Sequence, residues 1–149
     1  MPRVLFNDCY GDFCFSDAFA SEFLKRTGST IDEDGRQYLV GVNSIRCDTV
    51  VLQIFDEFGS AWCSGPECVL AIYEVPGIFE RYWEIDDYGG NETVRIRVDE
   101  VLVDILETFI ESGDRVAMLN KYHLVCQAAG RTPVVFQSIH FGDEYDKNY

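Results

Sequence analysis

The sequence predicts an α+β fold: a single compact domain with an antiparallel or mixed sheet and three to four helices mainly on one face. Three observations predict it. Short β-branched and aromatic runs such as "RVLF" and "VLAIYEVP" read as strands. Apolar residues recurring three and four apart mark amphipathic helices. A chain of 149 residues with 47% hydrophobic content is long and apolar enough to bury one substantial core.

Element by element, residues 3–7 form a first strand and "NDCYGD" a turn-forming connection. Ser16 then caps a helix over 17–27, with Asp17 in its first turn, Phe19, Phe23 and Leu24 as its apolar stripe and Gly28 as its stop. A turn falls at Asp34-Gly35, and residues 38–43 fit a strand. Asp48 opens a second helix with Val50, Val51, Ile54, Phe55 and Phe58 inward and Gly59 just past its end. "SAWCSGPEC" reads as a loop, because Gly65-Pro66 does not continue a helix.

Residues 69–75 form a strand stopped by Pro76. Residues 82–88 and 92–98 flank Gly89-Gly90-Asn91 and predict a hairpin, with Val94, Ile96 and Val98 on one side and Arg95 and Arg97 on the other. Asp99 caps a third helix bearing Leu102, Ile105, Leu106, Phe109 and Ile110, which Gly113 closes. "RVAMLNKYHLVCQAAG" fits a fourth helix, although "YHLVC" also fits a strand, and 133–140 form a last strand before an acidic tail.

Charge restricts the partners. Twenty-six acidic against 12 basic residues give a formal net charge of −14, which repels phosphate backbones and anionic lipids. Nucleic acid and membrane are therefore not expected partners. No apolar run is long enough to span a bilayer, and "MPRVLFND" lacks a secretory core, so an intracellular protein with reduced thiols is expected.

Several residues carry chemistry on paper. Asp8, Asp12, Asp86 and Asp87 would together suit a hard cation if their loops met, but each also suits a turn or strand end. Cys9 and Cys14, Cys63 and Cys68, with His123 and Cys126, make a zinc site arithmetically conceivable; the spacing lacks a tight knuckle, and small apolar core residues are the simpler reading. A Cys9 nucleophile would need His123 or His140 as base, and neither lies in a signature. Phosphate loops, serine elbows and paired-histidine zinc motifs are absent. No metal or cofactor is expected, and the balance leans away from an enzyme.

Four stretches, in order over residues 3–98, resemble a family of short uncharacterised proteins of tailed phages and large DNA viruses. "FNDCYGDFCFSDAF" is similar to an N-x-CYGGF-x-(L/F)S start, and "IRCDTVVLQIFDEFG" to a helix opening R-x-D and closing EELG. "VLAIYEVP" and "YWEIDDYGGNETV" are similar to a strand followed by W-x-I-(D/E)-(D/E)-YDG-x-E. Asp12 stands where that pattern prefers glycine and Gly89 where it prefers aspartate. Residues 99–149 lie outside the pattern and look like an extension of the same domain.

The resemblance implies a viral protein and no reaction. The expected function is thus a non-enzymatic interaction protein, acting in the host cytoplasm by binding a protein or a small ligand. The alternatives are a virion or capsid-associated component that self-associates, and a carboxylate or cysteine enzyme working between the first loop and the hairpin. Asn7, Asp8, Cys9, Tyr10, Asp12, Trp83, Asp86, Asp87 and Tyr88 are the candidate contact residues. Whether Tyr10, Trp83 and Tyr88 share one exposed patch is the question that discriminates most.

Overall fold

A computed structural model of the chain describes residues 2–31 and 44–132. Its fold is α+β, with four strands in two antiparallel pairs and five helices, one of them a single turn, among the described residues. The expected strands at 38–43 and 133–140, the turn at Asp34-Gly35 and the acidic tail lie outside the described residues. Two compact units divide the chain, 1–101 and 102–149.

In the first unit, β1 (Arg3–Asn7) pairs antiparallel with β2 (Leu70–Glu74), Arg3 facing Glu74 and Asn7 facing Leu70. The ladder runs past both ends, since Val75 N–H donates to Pro2 O at 2.7 Å and Asp8 N–H to Val69 O at 2.8 Å. Helix α1 (Asp17–Thr27) begins where expected: the Ser16 hydroxyl accepts from Phe19 N–H at 3.0 Å, and it also donates to Trp62 O at 2.7 Å, tying the cap to the segment at Trp62. Gly28 ends it in the left-handed conformation, with its N–H on Leu24 O.

Ser44 and a 3₁₀ turn at Ile45–Cys47 lead into α2 (Thr49–Phe58), whose Asp48 carboxylate accepts from Val50 and Val51 N–H. The segment after Gly59 differs from the expected loop: Ser60–Cys63 closes one helical turn, α3, before Ser64 leaves it in extended backbone. Helical geometry there lets Ser60 Oγ donate to Leu70 O at 2.6 Å, and Ser64 Oγ donate to Ser60 O at 2.6 Å while accepting from Leu70 N–H at 2.9 Å. Gly65-Pro66 prevents any further turn.

Strands β3 (Trp83–Tyr88) and β4 (Asn91–Ile96) form the second ribbon, with Tyr88 opposite Asn91. Both turn glycines have positive φ, as a two-residue hairpin with right-handed twist requires. The register puts Trp83, Ile85, Val94 and Ile96 on one face and Glu84, Thr93 and Arg95 on the other, where Glu84 and Arg95 pair across the strands. β4 stops at Ile96, so Val98 is not a strand residue but opens the next helix.

The core joins Leu5, Phe13, Phe15, Phe19, Phe23, Ile45, Val51, Leu52, Ile54, Cys63, Cys68 and Leu70. Phe15 stacks on Phe19 at 4.2 Å and meets Phe13 edge-on. Two stripe residues depart from expectation: Leu24 is exposed, one position beyond the buried stripe of Phe19 and Phe23, and Phe58 is exposed but stacks on Trp62 at 4.0 Å.

Helix α4 (Val98–Ser112) spans the division between the units. It begins one residue before Asp99, so Asp99 lies in its first turn beside the positive end of the dipole instead of capping it. Val101 and Ile105 are buried, whereas Leu106 and Ile110 face outward. α5 (Arg115–Ala128) is helical throughout, "YHLVC" included; Asp114 caps it by accepting from Ala117 N–H at 3.0 Å, and Val125 and Cys126 are buried. No helix among the described residues is long and apolar enough to cross a membrane.

Candidate functional site

The loop that follows β1 is held from below by a buried polar clasp. Asn7 is fully buried at the strand's end, and its side-chain amide donates to Cys9 O at 3.1 Å, Gly11 O at 2.8 Å and Gly90 O at 2.9 Å. Its Oδ1 accepts from Val69 N–H at 3.0 Å and from the Cys9 thiol at 3.2 Å. One side chain therefore fixes the first loop, the β2 entry and the hairpin turn together. Its amide is saturated by these bonds, so burial carries no unsatisfied polar group.

Glu92 continues the clasp. Its carboxylate accepts from Asn7 N–H at 2.8 Å and takes both guanidinium nitrogens of Arg46, at 2.7 and 2.8 Å. Arg46 also donates to Leu5 O at 3.1 Å and lies 3.8 Å from the centre of the Phe13 ring. Both side chains are buried. A two-pronged pair with its remaining valences filled is the geometry in which buried charge is tolerated, and the ring adds a cation–π contact.

Glycines close the approach. A side chain at Gly90 would overlap the backbone of Gly11, and one at Gly11 would overlap the carbonyl of Glu67. Three loops thus meet backbone to backbone: the first loop, the turn at 65–68 and the hairpin turn. Glu67 takes a left-handed conformation at φ 57° in doing so.

Above the clasp the candidates separate into two groups. Tyr10 is 73% exposed, and its ring stands 3.7 Å from where a side chain at Gly89 would begin; Tyr88, which precedes Gly89, is 80% exposed. Asp8, Asp12, Glu67, Asp86 and Asp87 are exposed around these loops. One Asp87 oxygen accepts from Gly90 N–H at 2.8 Å, so this acid also shapes the turn. Trp83 does not join: it is 1% exposed, on the face of the ribbon opposite Glu84 and Arg95, and cannot meet a partner. Asn7 is equally inaccessible, and Cys9 is half-buried with its thiol between Asn7 Oδ1 and Glu67 O, both at 3.2 Å.

Among the described residues no group of three histidine, cysteine or acidic side chains is arranged to hold a metal ion. Burial pushes the Cys47, Cys63 and Cys68 thiols up to about 11, which keeps them protonated at neutral pH and makes them poor nucleophiles. Sequence reasoning passed over Arg46 and Glu92. A signal existed, since strict alternation puts Glu92 on the same side as Val94 and Ile96, where an acid needs a buried partner. Comparison of the chain with known protein families, with curated proteins and with solved structures finds no match.

Proposed function

We propose that this chain is a non-enzymatic, virus-encoded interaction protein that binds a protein partner inside the host cell through the joined surface of its first loop and hairpin turn. The observation that carries this reading is the pair of exposed tyrosines, Tyr10 and Tyr88, both next to Gly89 on two loops that the buried Asn7 amide joins through Gly11 O and Gly90 O. A preorganised aromatic pair binds without a large ordering cost, which is what an interface anchor requires. The carboxylates of Asp8, Asp12, Asp86 and Asp87 and the net charge of −14 favour a partner segment bearing lysine or arginine, whose cations also suit tyrosine faces. The viral origin rests on the motif resemblance over residues 3–98.

The test is quantitative capture from host lysate with the full chain against a Tyr10→Ser, Tyr88→Ser double variant. The expected result is a saturable partner that the variant loses and that added salt weakens. Identical partners for both proteins would remove this surface from the function.

A further inference from the structure

Helix α4 is apolar on two opposite sides. Successive residues advance by about 100° around a helix, so Val101 and Ile105 share one side, where both are buried, while Val103, Leu106 and Ile110 project from the other and are 52–72% exposed. A helix lying on a core ordinarily turns charge to the solvent; here the outer stripe is aliphatic. Leu102 and Phe109, both half-buried, widen it along one margin.

Along the other margin runs a ridge of acids. Glu100, Asp104, Glu107 and Glu111 stand at i, i+4, i+7 and i+11, all exposed, and no lysine or arginine lies within Val98–Ser112. Like charges at these spacings repel, and Glu111 in the last turn meets the negative end of the helix dipole. Arg97, just before the helix, pairs with Glu100 at 2.8 Å at the N-terminal end of the ridge. Four like charges in one row weaken the helix that bears them, and the packing of Val101 and Ile105 does not call for them.

We propose that this face of α4 is the docking site of a basic amphipathic helix from another protein. Val103, Leu106 and Ile110 have the a, d, a spacing of a helix–helix seam, which receives the apolar side chains of a facing helix, and Glu107 then falls at the flanking position whose charge selects the partner. A partner with lysine or arginine along its matching flank relieves the repulsion within the ridge as it buries the stripe. A second copy does the opposite, since it brings another acidic ridge and another formal charge of −14 to the seam. The stripe is about two turns long, so the charge match decides whether the pair forms. All three stripe residues belong to the 102–149 unit, so this site uses nothing of the tyrosine pair in the 1–101 unit.

The full chain is titrated into three fluorescent synthetic peptides of equal length: one with leucine at heptad positions a and d and lysine at the flanking positions, one with the same stripe flanked by glutamate, and the lysine peptide with its sequence scrambled. Fluorescence anisotropy is expected to show saturable binding of the first alone. Exchanging charge in the chain, Glu107→Lys with Glu111→Lys, should weaken that binding about tenfold or more and transfer it to the glutamate peptide. A benzophenone amino acid placed at position 106 of the otherwise unsubstituted chain should crosslink to the lysine peptide. Failure of the lysine peptide to bind, equal binding of the scrambled one, an affinity indifferent to the charge exchange, or a crosslink from position 106 into a second copy or into residues 133–149 of the same chain would each overturn the assignment. The peptide series and the crosslink decide the matter even where the charge-exchanged chain fails to fold.

Discussion

In the clasp beneath the first loop, polar groups face one another; on the surface directly above, they face water. Asn7, Arg46 and Glu92 sit under Tyr10 and Tyr88 within one compact unit, and the two sets are close in sequence, Asn7 to Tyr10 and Tyr88 to Glu92. Burial alone separates their roles. A buried charge without its partner has nowhere to go, whereas an exposed tyrosine loses almost nothing of the fold when removed. The pair teaches that a run of functional-looking residues can divide into scaffold and contact within three or four positions.

The largest effect should come from breaking the ion pair. Glu92→Ala leaves the Arg46 guanidinium buried and removes the acceptor of Asn7 N–H, so we expect a loss of about 3–5 kcal/mol. Urea unfolding of the purified variant measures it. A loss below about 1 kcal/mol would mean that water reaches the clasp and that the contrast between the two layers is false.

Next comes the backbone contact that lets the layers meet. Gly90→Ala forces a side chain into a position with φ 88° and against the Gly11 backbone, whereas Gly28→Ala has a similar φ of 71° but open space. We expect roughly 2–4 kcal/mol for Gly90→Ala and about 1 kcal/mol for Gly28→Ala. Equal losses in thermal unfolding would show that loop approach contributes nothing beyond the turn itself.

Much of this was legible in the residues. Ser16, Asp48, Gly28 and Gly59 marked helix ends because capping is local chemistry, and Gly89-Gly90 marked the hairpin because a two-residue turn with positive φ at both positions favours glycine. The clasp was not legible as a unit, since Asn7, Arg46 and Glu92 are brought together only by tertiary pairing. Yet each stands in a stretch quoted for the viral resemblance, Asn7 in "FNDCYG", Arg46 in "IRCD" and Glu92 in "GGNETV". The stretches that carry the resemblance thus hold a buried packing cluster. Asp12 and Gly89 fit the same view: Asp12 is exposed and lacks a positive φ, and Gly89 sits in the left-handed region that aspartate also tolerates. The exposure of Leu106 and Ile110 was not legible, because helical period locates a stripe without saying how wide its buried part is.

Alkaline pH probes the core under both layers. Burial raises the Cys63 thiol from 9.0 to about 11, so its protonated form is favoured in the folded state. Its contribution is fully present below about pH 9 and is lost as pH rises toward 11, up to roughly 2 kcal/mol from this group. Urea midpoints taken across that window should fall, and should fall less steeply in Cys63→Ala. Parallel slopes in the two proteins would place the thiol in contact with water.

The smallest stability effect belongs to the residues with the largest expected effect on binding. Tyr10→Ser and Tyr88→Ser remove side chains that are mostly in solvent, so each should change unfolding free energy by less than about 0.5 kcal/mol. The Tyr10 ring does lie within reach of a side chain at Gly89, at 3.7 Å, so it stands close to the hairpin turn. If Tyr10→Ser costs clearly more than Tyr88→Ser, Tyr10 is partly a packing residue and the contact surface centres on Tyr88. If both are silent in unfolding yet abolish capture of the partner, the division between a buried clasp and an exposed pair of anchors is functional as well as structural.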